Sequence, residues 1–153
     1  MTIGYRRGPV AGLDPVLLYR LLELRVAVFV VEQRAAYPEL DGRDVEPGAE
    51  LLWAEEDGVV LATARVLRDP DAMRIGRVAT AEPARGRGVA SVLMDQAVER
   101  CSAVAADLPI LLDAQEHLAA WYGRFGFEVD GPRFLEDDIP HVPMRRRPAP
   151  PAV

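Results

Sequence analysis

The sequence predicts an α/β protein: a mixed central sheet with helices on its faces, a three-layer α/β/α sandwich. Three observations carry this. The chain has 153 residues, half of them hydrophobic, which suits one domain with a proper core. Its segments run β, α, α, β, β, β, α, β, α, β, β, so both periodicities share one domain. Three strand-like runs follow one another in the middle with no helix between them, which excludes a doubly wound sheet.

Each element has a local reason. Residues 1–12, with two arginines, several glycines and Pro9, hold at most a short edge strand. Asp14-Pro15 starts a helix, because Asp caps and Pro suits the first helical position. Leu17, Leu18, Leu21, Leu22 and Val26 follow at helical spacing. The apolar run from Val26 to Val31 extends this as a second helix or one bent helix, ending before Pro38. Residues 38–50 form a polar loop with turn signals at Asp41-Gly42 and Pro47-Gly48. Leu51 to Ala54 and Val59 to Leu67 flank Asp57-Gly58, a hairpin signature. Asp69-Pro70-Asp71 turns the chain into a strand from Met73 to Thr80, and a helix runs from Val89 to Cys101. A buried strand spans Pro109 to Asp113, and a helix spans Ala114 to Phe125, stopped by Gly126. Phe127 to Leu135 and Val142 to Arg146 are the last strands. Residues 1–147 read as a single domain, and 148–153 as a disordered Pro/Ala-rich tail.

Composition removes several function classes. A net charge of −6 argues against nucleic acid as the main partner. The one cysteine, Cys101, permits no internal disulfide. Two histidines and one cysteine without ligand spacing give no metal site. No signal peptide is recognisable, and no apolar run is long enough to span a membrane, so a cytoplasmic protein is expected.

The most informative segment is Arg85-Gly86-Arg87-Gly88-Val89-Ala90, placed between a strand and a helix. A helix start offers unpaired N–H groups and the positive end of the dipole, and glycines let a phosphate approach the backbone. The segment reads as a pyrophosphate cradle. A Rossmann loop would need a third glycine where Ser91 stands. A Walker loop is excluded, since no Gly-Lys-Ser/Thr occurs.

Arg85-x-x-Gly88-x-Ala90 matches the Arg/Gln-x-x-Gly-x-Gly/Ala motif of the GNAT N-acetyltransferases. Trp121-Tyr122-Gly123-Arg124-Phe125-Gly126-Phe127 is similar to that family's Tyr-x-x-x-Gly-Phe segment. Val28 to Gln33, Tyr37 to Gly42, Ile75 to Val78, Ala114-Gln115 and Ile139 to His141 resemble its ElaA-like branch. These segments lie in the family's order and cover most of residues 17–146. The resemblance implies a mixed, mainly antiparallel sheet in the acyl-CoA N-acyltransferase fold. Two positions depart from the branch: Ala35 stands where it often has cysteine, and Asp138 where it has glycine.

The resemblance also implies roles. Acetyl-CoA is the co-substrate and a primary amine the acceptor, on a small molecule or a protein. Transfer is by direct attack in a ternary complex through a tetrahedral intermediate. The backbone of Val78, Ala79 and Thr80 pairs with the pantetheine arm, and a strand N–H, that of Val78, stabilises the oxyanion. The amides of Arg85, Gly86, Arg87, Gly88, Val89 and Ala90 hold the pyrophosphate, with charge from Arg85 or Arg87. Tyr122 is the general acid for the departing thiolate, or a tyrosine packed on a helix face. Base candidates are His141 and Glu32, then Asp41, Asp44 and Glu136; ordered water is an alternative. Gln115 begins the last helix and either bonds the pantetheine arm or caps that helix. Arg124 meets the 3′-phosphate or is solvated, and His117 is an exposed first-turn helix residue. Phe29, Trp53 and Phe127 belong to the core, and Cys101 is an inert core thiol. Arg65 and Arg77, if buried, find partners in Asp41 or Asp44. The acidic balance suits a cationic acceptor. A non-catalytic acyl-CoA-binding regulatory module and a transferase of a different acyl group stay open, as does a homodimer.

Overall fold

The structure, a computed structural model, describes residues 2–150. One sheet of eight strands forms the middle layer: β1 (Gly4–Gly8), β2 (Glu50–Glu56), β3 (Val59–Arg68), β4 (Met73–Thr80), β5 (Ile110–Gln115), β6 (Glu128–Val129), β7 (Phe134–Glu136) and β8 (Ile139–Arg146). The order is β1-β2-β3-β4-β5-β8-β6, with β7 also on β8. Every pairing is antiparallel except β4 with β5.

Helices cover both faces. On one face α1 (Pro15–Val26) packs Leu21, with Leu17 and Leu18, on Leu51 and Trp53. On the other, α2 (Val89–Val104) packs Leu93, Met94, Ala97 and Cys101 on the inward residues of β2 to β5. The short α3 (Ala119–Gly123) adds Tyr122 to that same core. Cys101 is fully buried, and burial pushes its thiol up to about 12, which leaves it unreactive.

Local chemistry explains the junctions. The Asp14 carboxylate accepts from the Val16 and Leu17 N–H groups and caps α1. Asp57 and Gly58 are both left-handed, at φ 54° and 78°, the turn that matches strand twist. Of the two alternatives expected here the chain stays helical across the junction: α1 passes directly into a π-helical stretch, Ala27–Glu32.

Three expectations need correcting. The strand before the last helix reaches Gln115, so residues 114 and 115 are extended, and α3 starts only at Ala119 after a 3₁₀ turn. The pairing of Ala114 with Val142 and Gln115 with His141 overrides their helical propensity. The strand expected over 127–135 is two short pieces parted at Gly131-Pro132, where a β-carbon on Gly131 would stand 2.9 Å from Pro143. Phe29 is only partly buried and lines a cleft, whereas Trp53 and Phe127 are core. Of the tail expected at 148–153, residues 151–153 lie outside the described residues.

Candidate active site

β4 and β5 pair only at Met73–Ile110 and Arg74–Leu111. Beyond that point the strands splay, and the β5-facing edge of β4 from Ile75 to Thr80 carries no ladder partner. The opening is part of a cleft of about 900 Å³ that also reaches Val28, Tyr37, Gly88, Tyr122 and His141. An unpaired strand edge beside a cavity is a template for an extended ligand.

The other side of β4 is bent. Thr63 pairs with Ala79 and Arg65 with Gly76, so Ala64 alone faces both Arg77 and Val78. Arg77 sits at φ 50° in this bulge. Nothing in the residue pattern of the strand announces the bulge.

After β4 comes the loop expected to form a cradle. Gly86 and Gly88 lie at φ 78° and 75°, and a β-carbon on either would meet nothing within 4 Å. Gly88 is the N-cap of α2 and supplies no side-chain cap, so the first amides of the helix face open space. Arg85 folds back: Nε donates to the Thr80 carbonyl oxygen at 3.1 Å and Nη2 to Glu32 Oε1 at 2.7 Å. Arg87 turns the other way, onto Glu56 at 2.9 Å, and does not line the cleft. Its guanidinium is therefore spent on the β2–β3 turn, and only its backbone remains for a ligand at the cradle.

Tyr122 is buried against Trp121, ring centroids 4.9 Å apart, and lines the cleft. Burial pushes its phenol up to about 12. Among the described residues nothing hydrogen-bonds its hydroxyl. Gln115 lines the same cleft from its strand end, as do Val78, Ala79, Thr80, Val89 and Ala90. Arg124 reaches Ser91 Oγ at 3.3 Å, joining α3 to the start of α2. His117, in the 3₁₀ turn, is exposed at the cleft wall.

The base candidates separate by environment. His141 Nδ1 lies 2.7 Å from the Ile139 carbonyl oxygen, so Nδ1 carries the proton of the neutral ring and Nε2 keeps its lone pair. Phe134 stacks on the ring at 5.7 Å, and Glu136 Oε2 stands 3.7 Å from Nε2. Glu32 is exposed, and the hydrogen bond from Arg85 holds its carboxyl below the usual range, which makes it a weak base. Asp44 is committed to Arg25 at 2.6 Å. For Asp41, partial burial works upward, but hydrogen bonds from Arg65 and the Arg43 N–H, with the charges of Arg65 and Arg77, outweigh it and hold the carboxyl at about 2. Its stabilising contribution is present above its ordinary value of 3.8 and is lost as pH falls from there through about 2. Denaturant titrations at pH 7, 4 and 2.5 are expected to show this loss, and Asp41→Asn to flatten it.

The expected partners of Arg65 and Arg77 form: Arg65 meets Asp41 at 2.9 Å and Asp44 at 3.4 Å, and Arg77 meets Asp41 at 3.2 Å. Two partners were missed. Glu39, 3 % exposed, lies 2.7 Å from Arg77, and Arg25, fully buried in α1, joins Glu39 and Asp44. A signal for Arg25 exists, since it falls four residues after Leu21 and seven after Leu18, on the apolar stripe. The departures also resolve locally. Ala35 is buried at the cleft wall, and Asp137-Asp138, at φ 49° and 64°, make the two-residue β7–β8 turn.

Among the described residues no group of three or more His, Cys, Asp or Glu could hold a metal, and no helix is long and apolar enough to cross a membrane. A mixed sheet splayed beside a glycine-turned helix start defines the class of acyl-CoA N-acyltransferase folds. An acyl-CoA N-acyltransferase of that description from Pseudomonas aeruginosa superposes with a TM-score of 0.89 at 42 % identity, over 95 % of this chain and 99 % of that one. Escherichia coli ElaA superposes at 0.91 with 35 % identity, over 95 % and 100 %. By sequence alone ElaA is 39 % identical over 84 % of this chain and 86 % of its own. A UPF0039 protein of Mycobacterium tuberculosis is 45 % identical over 95 % and 94 %. The family model described as an acetyltransferase (GNAT) domain matches residues 21–148. The chain belongs to the GNAT acetyltransferase family, with ElaA and the UPF0039 proteins as relatives.

Proposed function

We propose that this protein transfers an acetyl group from acetyl-CoA to a primary amine by direct attack in a ternary complex. The observation that carries the reading is the unpaired β4 edge leading into an uncapped helix start turned by Gly86 and Gly88. An extended thioester arm fits the first and a pyrophosphate the second. The backbone of Val78, Ala79 and Thr80 pairs with the arm, and the amides from Arg85 to Ala90 take the phosphates. Arg85 supplies charge once it releases Glu32, and Gln115 bonds the arm from β5. Arg124 reaches toward the 3′-phosphate from its place beside Ser91.

The chain's own groups then divide the work. The Val78 N–H donates to the carbonyl oxygen as the amine adds. Tyr122 stays protonated because its phenol is raised, and its O–H donates to the departing sulfur. His141 Nε2 takes the amine proton, its ring held by Ile139 and Phe134. The arginines lining the cleft are paired with carboxylates, while Asp137 has no such partner among the described residues, and Glu136 meets only His141 Nε2, at 3.7 Å. That excess of negative charge at the mouth favours a cationic acceptor. Residues 1–147 act as one catalytic domain. The lone, buried cysteine suits work in the cytoplasm.

The test is calorimetric titration with acetyl-CoA, CoA and NADH, followed by thiol release over a panel of amines. Saturable acetyl-CoA binding and turnover with at least one amine are expected. Tyr122→Phe should lower kcat about 100-fold with little change in KM for acetyl-CoA. Binding without turnover on any amine would instead favour an acyl-CoA-binding regulatory module.

A further inference from the structure

Six charged side chains close a ring of alternating sign on the α1 face of β3 and β4. Arg25 meets Glu39 at 3.0 Å, Glu39 meets Arg77 at 2.7 Å and Arg77 meets Asp41 at 3.2 Å. Asp41 meets Arg65 at 2.9 Å, Arg65 meets Asp44 at 3.4 Å, and Asp44 returns to Arg25 at 2.6 Å. Three guanidinium groups and three carboxylates cancel, and Arg25, Glu39 and Arg65 are almost wholly buried. The ring ties α1 and the loop after it to the sheet.

Arg77 lines the cleft, as do Asp41 and Arg65, and among the ring members it alone lies in the β4 bulge. At φ 50° a residue with a β-carbon is disfavoured, and the surroundings must impose the conformation. Here the side chain is gripped from one segment. Nη2 donates to the Glu39 carbonyl oxygen at 3.0 Å and to Asp41 at 3.2 Å, and the guanidinium lies 5.5 Å from the centre of the Tyr37 ring. Arg77 Nε meets Glu39 off its N–H axis, at 2.7 Å yet without a hydrogen bond. The side chain thus accepts poor hydrogen-bond geometry to reach its partners from a bent backbone. A bulge takes a residue off the ladder and re-aims its neighbours, and the neighbour here is Val78.

We infer that Arg77 is a positioning residue of the transfer reaction: gripped by the 37–41 segment, it holds the bulge so that the Val78 N–H points at the thioester carbonyl. This rests on the acetyltransferase reading above. The acceptor-side loop and the cofactor-side strand are then one mechanical unit, and loosening the grip misaims a donor without touching the phosphate cradle.

Arg77→Gly separates grip from backbone preference, because glycine is at ease at this φ and only the grip is lost. Its kcat is expected to fall about 10- to 100-fold, with KM for acetyl-CoA and the affinity for CoA within about two-fold of the parent. Arg77→Lys should recover part of kcat. In the free protein, the Val78 amide resonance should shift and its hydrogen exchange quicken. An unchanged kcat, or losses of kcat and CoA affinity in step with the folded fraction, would overturn the inference. Should Arg77→Gly fail to fold, Arg77→Lys and Asp41→Asn carry the same split. A parent protein that binds acetyl-CoA but acetylates no amine defeats the acetyltransferase reading instead. The Val78 amide then still decides whether Arg77 holds the bulge, and an unmoved resonance with unchanged exchange in Asp41→Asn, where the residue before Val78 is the same, ends it.

Discussion

Gly88→Glu is expected to abolish measurable acetyl-CoA binding in calorimetry, a loss of at least about 100-fold, or about 2.7 kcal/mol. Gly88 caps α2 with no side chain, and open space surrounds the position a β-carbon would take. The substitution is therefore tolerated sterically, and the left-handed φ of 75° costs about 1–2 kcal/mol of stability. A glutamate carboxylate there occupies the free amides as a cap and repels a pyrophosphate. Gly88→Ala keeps the backbone cost without the charge, and should lose much less affinity. A folded Gly88→Glu protein that binds acetyl-CoA like the parent would remove the phosphate from this loop.

Arg25→Ala is expected to cost about 3–5 kcal/mol, a large part of a typical domain's stability. Arg25 is fully buried, and its guanidinium serves two carboxylates that are themselves buried, Glu39 and Asp44. Truncation leaves three carboxylates to share Arg65 and Arg77, so one negative charge in a largely buried cluster goes uncompensated. For a domain of this length the midpoint of thermal unfolding should fall by roughly 10–15 °C. Arg25→Lys keeps the charge but loses the two-sided fork, and should fall between. A change of under about 1 kcal/mol in Arg25→Ala, by denaturant titration, would show that the ring carries little stability.

How much of this was legible depended on the range of the interaction. Asp14 before Pro15, the Asp57-Gly58 turn and the glycines at 86 and 88 act through their own backbone, and each stands where its chemistry places it. The Arg65 and Arg77 pairings with Asp41 were legible because a guanidinium on an apolar strand must find a carboxylate, and the polar loop after the first helix offers Asp41 and Asp44. Gln115 was misplaced because pairing with His141, twenty-six residues later, decides its conformation. Charge for the phosphates was expected from Arg85 or Arg87, and Glu56 at the end of β2 takes up the Arg87 guanidinium.

The sequence by itself determined the element order up to the final strands, the two-faced packing, the family and the glycine-turned helix start, since periodicity, caps and glycines are local properties. Only the tertiary structure decided three features: the splay of β4 from β5, the bulge at Arg77 and the closed ring through Arg25. Each arises where strands and loops distant in the chain meet, and a register or an ion pair is a property of both partners at once.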